Sequence, residues 1–181
     1  VRLANPTSIT VAACAIYPNW PEFADSVREE IVQQTRRLSP HPGIIKLCEV
    51  LYDQPTRRLA LVFELMDMNI YELIRVRRNP LAESKVKYFM YQLLRAMDHM
   101  HRNGIFHRDV KPENVLFGGT GHVLLADFGL SKIVQIDDKD FPTKGCISLC
   151  GTPEYMAPEV LDRAPYGGSC LLYTSPSPRD Q

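Results

Sequence analysis

The chain has 181 residues, 45% of them hydrophobic, which is enough to bury one sizeable core in one or two compact domains. Its 21 Lys and Arg balance 21 Asp and Glu, so it lacks the basic stripe of a nucleic-acid binder, and no nucleic-acid partner is expected. The 5 cysteines, of which only Cys146 and Cys150 lie close together with no second pair or histidine at zinc-ligand spacing, read as free thiols of a reducing compartment. No apolar run reaches the length of about 18 residues that a membrane span needs, so an intracellular protein, cytoplasmic or nuclear and with no membrane partner, is expected.

In chain order, Glu22 to Leu38 mixes charged and apolar residues without Gly or Pro and stops before Ser39-Pro40-His41-Pro42-Gly43, which predicts a helix closed by breakers. The apolar runs Ile44 to Tyr52 and Arg57 to Leu65, parted by Asp53-Gln54-Pro55-Thr56, predict strand, turn and strand. A short helix over Asn69 to Arg78 and a longer one over Leu81 to Asn103 follow. In the longer one Val86, Phe89, Met90, Leu93, Leu94, Met97 and Met100 recur as a single buried face, and Gly104 is the expected stop. Asn114 to Phe117 and His122 to Ala126 flank Gly118-Gly119-Thr120-Gly121, predicting a hairpin that delivers Asp127 at its end. The mixture is α+β, a hairpin on a mostly helical lobe. Val1 to Pro21 carries no recognisable pattern and is left unassigned.

Two strings carry the chemistry: His107-Arg108-Asp109-Val110-Lys111-Pro112-Glu113-Asn114, and Asp127-Phe128-Gly129 beyond it, followed by Ala157-Pro158-Glu159. An isolated Asp or Asn of this kind is most often a solvated turn residue. Their joint order resembles the catalytic and metal loops of a protein kinase, whose chemistry requires a base at the attacking hydroxyl and ligands for two Mg²⁺ ions. That resemblance covers Glu22 to Tyr166. From Glu64-Leu65-Met66-Asp67-Met68-Asn69-Ile70-Tyr71-Glu72-Leu73-Ile74-Arg75 to His101-Arg102-Asn103-Gly104-Ile105-Phe106-His107 it is similar to the MAK-like and MAPK-overlapping branch of serine/threonine kinases.

The resemblance implies a partial bilobal kinase fold over residues 22–169, comprising the end of the small lobe and the upper part of the helical large lobe. It implies that Asp109 accepts or orients the substrate hydroxyl, that Lys111 contacts the γ-phosphate, and that Asn114 and Asp127 hold Mg²⁺. With ATP as cofactor, backbone groups of Glu64 and Met66 would pair with adenine, Phe63 would be the gatekeeper, and Leu116 would form the floor under the base. Lys111 after the catalytic Asp resembles serine/threonine enzymes, so protein substrates with Ser or Thr acceptors are expected.

Residues from Asp127 to Glu159 correspond to an activation segment, and Ile147 to Met156 resembles the substrate-facing region of basophilic kinases. Ser148 is the expected phosphosite for an upstream kinase, with Thr143 next. Arg108, and also Lys132, would pair with the phosphate, and without it Arg108 is expected to lack a partner. Thr152 belongs to the same regulatory group. The segment departs from the MAK-like pattern, which carries a Thr-x-Tyr phosphosite.

The family's glycine-rich loop and strand Lys are missing: Val1 to Pro21 holds no Gly, and the first Lys is Lys46. Glu30, with Glu29 as runner-up, is the expected helix partner of that Lys. The chain begins at Val1 and is shorter than the family's catalytic domain, so a fragment inactive alone is expected. Cys170-Leu171-Leu172-Tyr173-Thr174-Ser175-Pro176-Ser177-Pro178-Arg179-Asp180 looks like the conceptual translation of a sequencing adapter, and residues 170–181 are expected to be an artefact. The alternative function is a pseudokinase-like binding module from a genuine short form. A P-loop hydrolase is excluded because no Gly-x-x-x-x-Gly-Lys string occurs.

Overall fold

The computed structural model describes residues 32–33, 35–38, 41–53, 55, 58–118, 121–133, 146 and 148–166, together with the backbone of 11–17. A three-stranded antiparallel sheet in the order β1-β3-β2 comprises β1 (Val11–Tyr17), β2 (Leu47–Asp53) and β3 (Arg58–Glu64). Its central strand buries Leu61, Val62 and Phe63 in succession, as a strand covered on both faces must. The two expected strands are therefore present, and the unassigned N-terminal segment contributes β1 to the sheet edge, with Ala15 opposite Leu61 and Tyr17 opposite Leu59. Its small residues gave no strong strand signal. Of the expected helix over 22–38, residues 32–33 and 35–38 are helical and form α1; residues 22–31 lie outside the described residues.

Below this sheet, β4 (Met68–Asn69) leads into α2 (Ile70–Arg75), which is closed at its start by a reciprocal capping box between Asn69 and Glu72. Its end comes sooner than expected, with Val76 as C-cap. The long helix α3 (Glu83–Arg102) stops where Gly104 takes φ 70°, a conformation that glycine reaches without a Cβ penalty. Next come β5 (Ile105–Phe106) and the hairpin β6 (Val115–Phe117) and β7 (Val123–Leu125), with Val115 opposite Leu125. Short β8 (Lys132–Ile133) pairs with β5, and α4 (Pro158–Leu161) follows the Ala157-Pro158-Glu159 string.

One core joins the sheet to α3 and the hairpin. Leu38, Ile44, Ile45, Leu61 and Phe63 from above meet Phe89, Met97, Met100, Val115, Leu125 and Phe128 from below. Main-chain bonds reinforce this junction: the Leu125 N–H donates to the Gly43 carbonyl at 2.8 Å, and the Ile45 N–H to the Leu125 carbonyl at 3.0 Å. Gly43 packs closely here: a Cβ would lie 3.1 Å from the Ala96 Cβ on α3, so a larger residue would require the contact to give by a few tenths of an ångström. No helix among the described residues is long and apolar enough to cross a membrane.

The face expected to be buried on α3 divides into two stripes. Phe89, Met97 and Met100 are buried, whereas Val86, Met90 and Leu94 are 42%, 47% and 43% exposed. With Ile70, Ile74 and Leu81 they line an apolar groove of about 330 Å³. Periodicity identifies apolar positions on a helix without showing whether a neighbour covers each one. Substituting Met97→Ala should cost about 2–5 kcal/mol in a denaturant titration. Met90→Gln should change stability by less than about 0.5 kcal/mol. A large loss from the second substitution would show that the groove is covered.

Candidate active site

Asp109 is the centre of the site. Its carboxylate is 8% exposed, and three donors reach it: Thr152 Oγ1 donates to Oδ1 at 2.7 Å, Lys111 Nζ lies 3.1 Å from Oδ2, and Asn114 Nδ2 lies 3.1 Å from Oδ2. Lys111 Nζ also donates to Thr152 Oγ1 at 2.6 Å, closing a ring of charge and hydroxyl. Burial alone would raise the Asp109 pKa, but the bonds from Thr152, Lys111 and Asn114 together outweigh it and hold the carboxyl below its ordinary value. Asp109 is therefore ionised at neutral pH.

His107 fixes the loop from below. It is wholly buried, with Nε2 2.9 Å from the Ala126 carbonyl and Nδ1 accepting the Asp109 N–H at 3.3 Å. These contacts require a neutral ring protonated at Nε2. Desolvation lowers its pKa, against smaller opposing contributions from the Ala126 carbonyl, Asp127 and Asp109. His107 thereby ties the catalytic loop to the end of β7, from which Asp127 projects.

Asn114 donates its amide to both the Asp109 carbonyl, at 2.8 Å, and the Asp109 carboxylate, leaving its side-chain oxygen as an acceptor. Asp127 is exposed and left-handed at φ 64°, with Oδ1 accepting the Gly129 N–H at 3.4 Å. An amide oxygen and an exposed carboxylate are hard oxygen donors, so this set fits Mg²⁺.

Arg108, also left-handed at φ 67°, spans the metal loop and the activation segment. Its Nε donates to the Leu130 carbonyl at 2.6 Å and its Nη1 to the Ser148 hydroxyl at 2.7 Å. The expectation that Arg108 lacks a partner without phosphate is corrected: the neutral serine hydroxyl and a main-chain carbonyl already engage it. Lys132 lies in β8 opposite Phe106 and is exposed. Thr152 was expected to be regulatory, yet it lies directly on Asp109. Its Gly-Thr-Pro setting was the available signal: Gly151 takes φ 114°, and a Cβ there would fall 2.7 Å from the Arg108 carbonyl. Only glycine lets this segment approach the catalytic loop closely enough for Thr152 to reach in.

Phe63 is buried at the end of β3. Beyond it, the Glu64 N–H donates to the Lys46 carbonyl at 3.3 Å, and the Glu64 side chain accepts the Lys46 N–H at 3.0 Å. Met66 and Leu116 are partly buried against the core, and Leu116 lies opposite Asn69 and Leu124. Glu29, Glu30 and Thr143 lie outside the described residues. Strand β1 precedes the first helix and abuts β3, but holds no Lys.

A family model described as "Protein kinase domain" matches residues 17–174. The chain belongs to the protein kinase domain family. It is 50% identical over 140 residues to the mouse MAPK/MAK/MRK overlapping kinase, covering 77% of this chain. Against the human protein of the same name the identity is 49% over 140 residues. A probable serine/threonine-protein kinase of Dictyostelium discoideum is 36% identical over 170 residues, 94% of this chain and 30% of its own length. The chain spans 31% of the length of the mouse and human relatives. The α+β content and small sheets are those of a partial kinase fold, as the resemblance implied.

The pH dependence of stability follows from the two buried groups. An unfolded His takes up a proton below about pH 6.5 while folded His107 does not, so its contribution is intact above that value and lost as pH falls, at up to about 1.4 kcal/mol per pH unit. For Asp109, whose pKa is lowered on folding, the loss begins only below about pH 4. Urea midpoints measured from pH 8 to pH 3 should therefore fall in two stages, and a flat profile down to pH 5 would contradict the His107 geometry. Separately, Gly151→Ala should destabilise the protein by about 1–3 kcal/mol, measurable as a lowered midpoint.

Proposed function

We propose that the protein carrying this domain transfers the γ-phosphate of ATP to Ser and Thr hydroxyls of proteins. The observation that supports this best is the closed network of Asp109, Lys111, Thr152 and Asn114 beside Asp127. Asp109, kept ionised, accepts the hydrogen bond of an incoming hydroxyl, aims its oxygen at the phosphorus, and takes up the proton as the bond forms. Lys111 Nζ, held between Asp109 and Thr152, supplies positive charge beside the transferring group. Asn114 and Asp127 would hold Mg²⁺ through their free oxygens; bound Mg-ATP supplies the electrophilic phosphorus and neutralises its charge.

Main-chain groups of Glu64 and Met66 would orient adenine, Phe63 would limit the depth of the pocket, and Leu116 would support the base from below. Glu30, which lies outside the described residues, would pair with the strand Lys that contacts the α- and β-phosphates. On the peptide side, a cavity of about 30 Å³ beside Asp109, lined by Phe106, Val110, Met156, Ala157, Val160 and others, accommodates a small apolar group next to the acceptor residue. Ser148, exposed and hydrogen-bonded to Arg108, is the residue we assign to an upstream kinase. A phosphate there would replace a neutral bond with a charge-assisted, bidentate one and strengthen a link that already exists. The bonds that join Asp109, Lys111, Asn114 and Thr152 support catalysis over a binding-only module.

Asp109→Asn should lower kcat by about 10²–10⁴-fold with the fold unchanged. Asp127→Asn should weaken the Mg²⁺ dependence of nucleotide binding as well as turnover. Near wild-type phosphorylation of a Ser/Thr peptide library by either variant would remove the role assigned to that residue. In mass spectrometry of active protein, phosphate should be found at Ser148, and its absence would leave the Arg108 contact as the unmodified working state.

A further inference from the structure

Tyr166 lies beyond α4, outside both catalytic strings, yet three of its groups reach back to the activation segment. Its main chain forms a reciprocal pair with Cys146, with both N–H···O bonds at 2.8 Å. Its hydroxyl donates to the Ser148 carbonyl at 2.8 Å and lies 3.6 Å from Cys150 Sγ. The ring is 7% exposed and packs with Phe106, Cys146, Ala157 and Val160 in a second, smaller core. Burial pushes the hydroxyl pKa up, with a further contribution from Cys150, so it remains protonated and able to donate.

Ser148 is thus held on two sides: Arg108 takes its hydroxyl and Tyr166 takes its carbonyl. Two residues on, Cys150 also touches Tyr166, and Gly151 and Thr152 then descend onto Arg108 and Asp109. A segment with alternate residues anchored has little freedom left, so the course of the chain from Ser148 to Gly151 depends on where residue 148 is fixed.

We propose that Tyr166 is a positioning residue whose hydroxyl sets the register of residues 148–152, and with it the peptide-facing wall of the active site. Among the described residues the hydroxyl makes no hydrogen bond to Asp109, Lys111 or Asn114, although Tyr166 lines the small cavity beside Asp109. It acts through Ser148 and Cys150, so its influence falls on peptide binding more than on phosphoryl transfer. The inference builds on the proposed kinase activity, but the clamp itself is testable without catalysis.

The test is Tyr166→Phe, which keeps the ring and the main-chain pair and removes only the hydroxyl. Hydrogen exchange in peptides covering 148–156 should accelerate about 3- to 10-fold, the effect of losing one neutral hydrogen bond, while β6 and β7 remain unchanged. In the full-length protein the KM for a Ser/Thr peptide should rise by a similar factor, with kcat and the KM for ATP nearly constant. Unchanged exchange in 148–156 would overturn the proposal, as would a fall in kcat at constant peptide KM. Accelerated exchange in a protein that phosphorylates no peptide would support the clamp and defeat the kinase reading instead.

Discussion

A carboxylate placed almost out of reach of water is the constraint on which the site depends. Left alone in that position, Asp109 would take up a proton or unfold its loop, because a buried unpaired charge costs several kcal/mol. Donors must therefore come from elsewhere in the chain, and each brings a piece of structure with it. Lys111 and Asn114 come from the same loop and shape it; Thr152 comes from the activation segment and draws that segment down. Gly151 is the steric condition for this approach, and His107 is the foundation, with one ring nitrogen on the Asp109 main chain and the other on Ala126. The charge needed for chemistry and the packing of two distant segments are thus one requirement met once.

The second organising contact is the strap at residues 43–45. It carries two main-chain bonds to Leu125, places Ile44 and Ile45 in the core, and lies close against α3 at Gly43. Since β7 ends at Leu125 and Asp127 follows two residues later, the same strap that joins the sheet to the elements below also steadies the start of the loop at Asp127. Its energetic weight is apolar burial; its hydrogen bonds mainly fix register.

The sequence revealed more of the chemistry than of the packing. Asp109, Asn114 and Asp127 could be singled out by their order alone, and the structure joins Asp109 to Asn114; the hairpin could be located because turn residues separate two apolar runs. Tyr166 was not legible, since it acts through tertiary approach that no local pattern encodes, and for Thr152 the Gly-Thr-Pro setting hinted at a close approach without showing that Asp109 is its partner. The same limit appears on α3, where Met97 and Leu94 look alike in sequence and only the fold shows that one is covered. Strand β1 went unassigned because Ala and Cys dilute its β-branched residues, and its pairing with β3 is a long-range fact.

Arg108 and Asp127 share a feature with a thermodynamic consequence. Both are non-glycine residues in the left-handed region, and each such residue carries a cost of about 1–2 kcal/mol relative to ordinary backbone. Considered as a population, the two loops begin with a bias toward conformers in which one or both relax, and that bias must be matched by contacts available only in the strained form. Some of those contacts are internal, such as the Leu130 and Ser148 bonds of Arg108 and the Gly129 bond of Asp127. A ligand that binds Asp127 only in this conformation would add to the same side of the equilibrium.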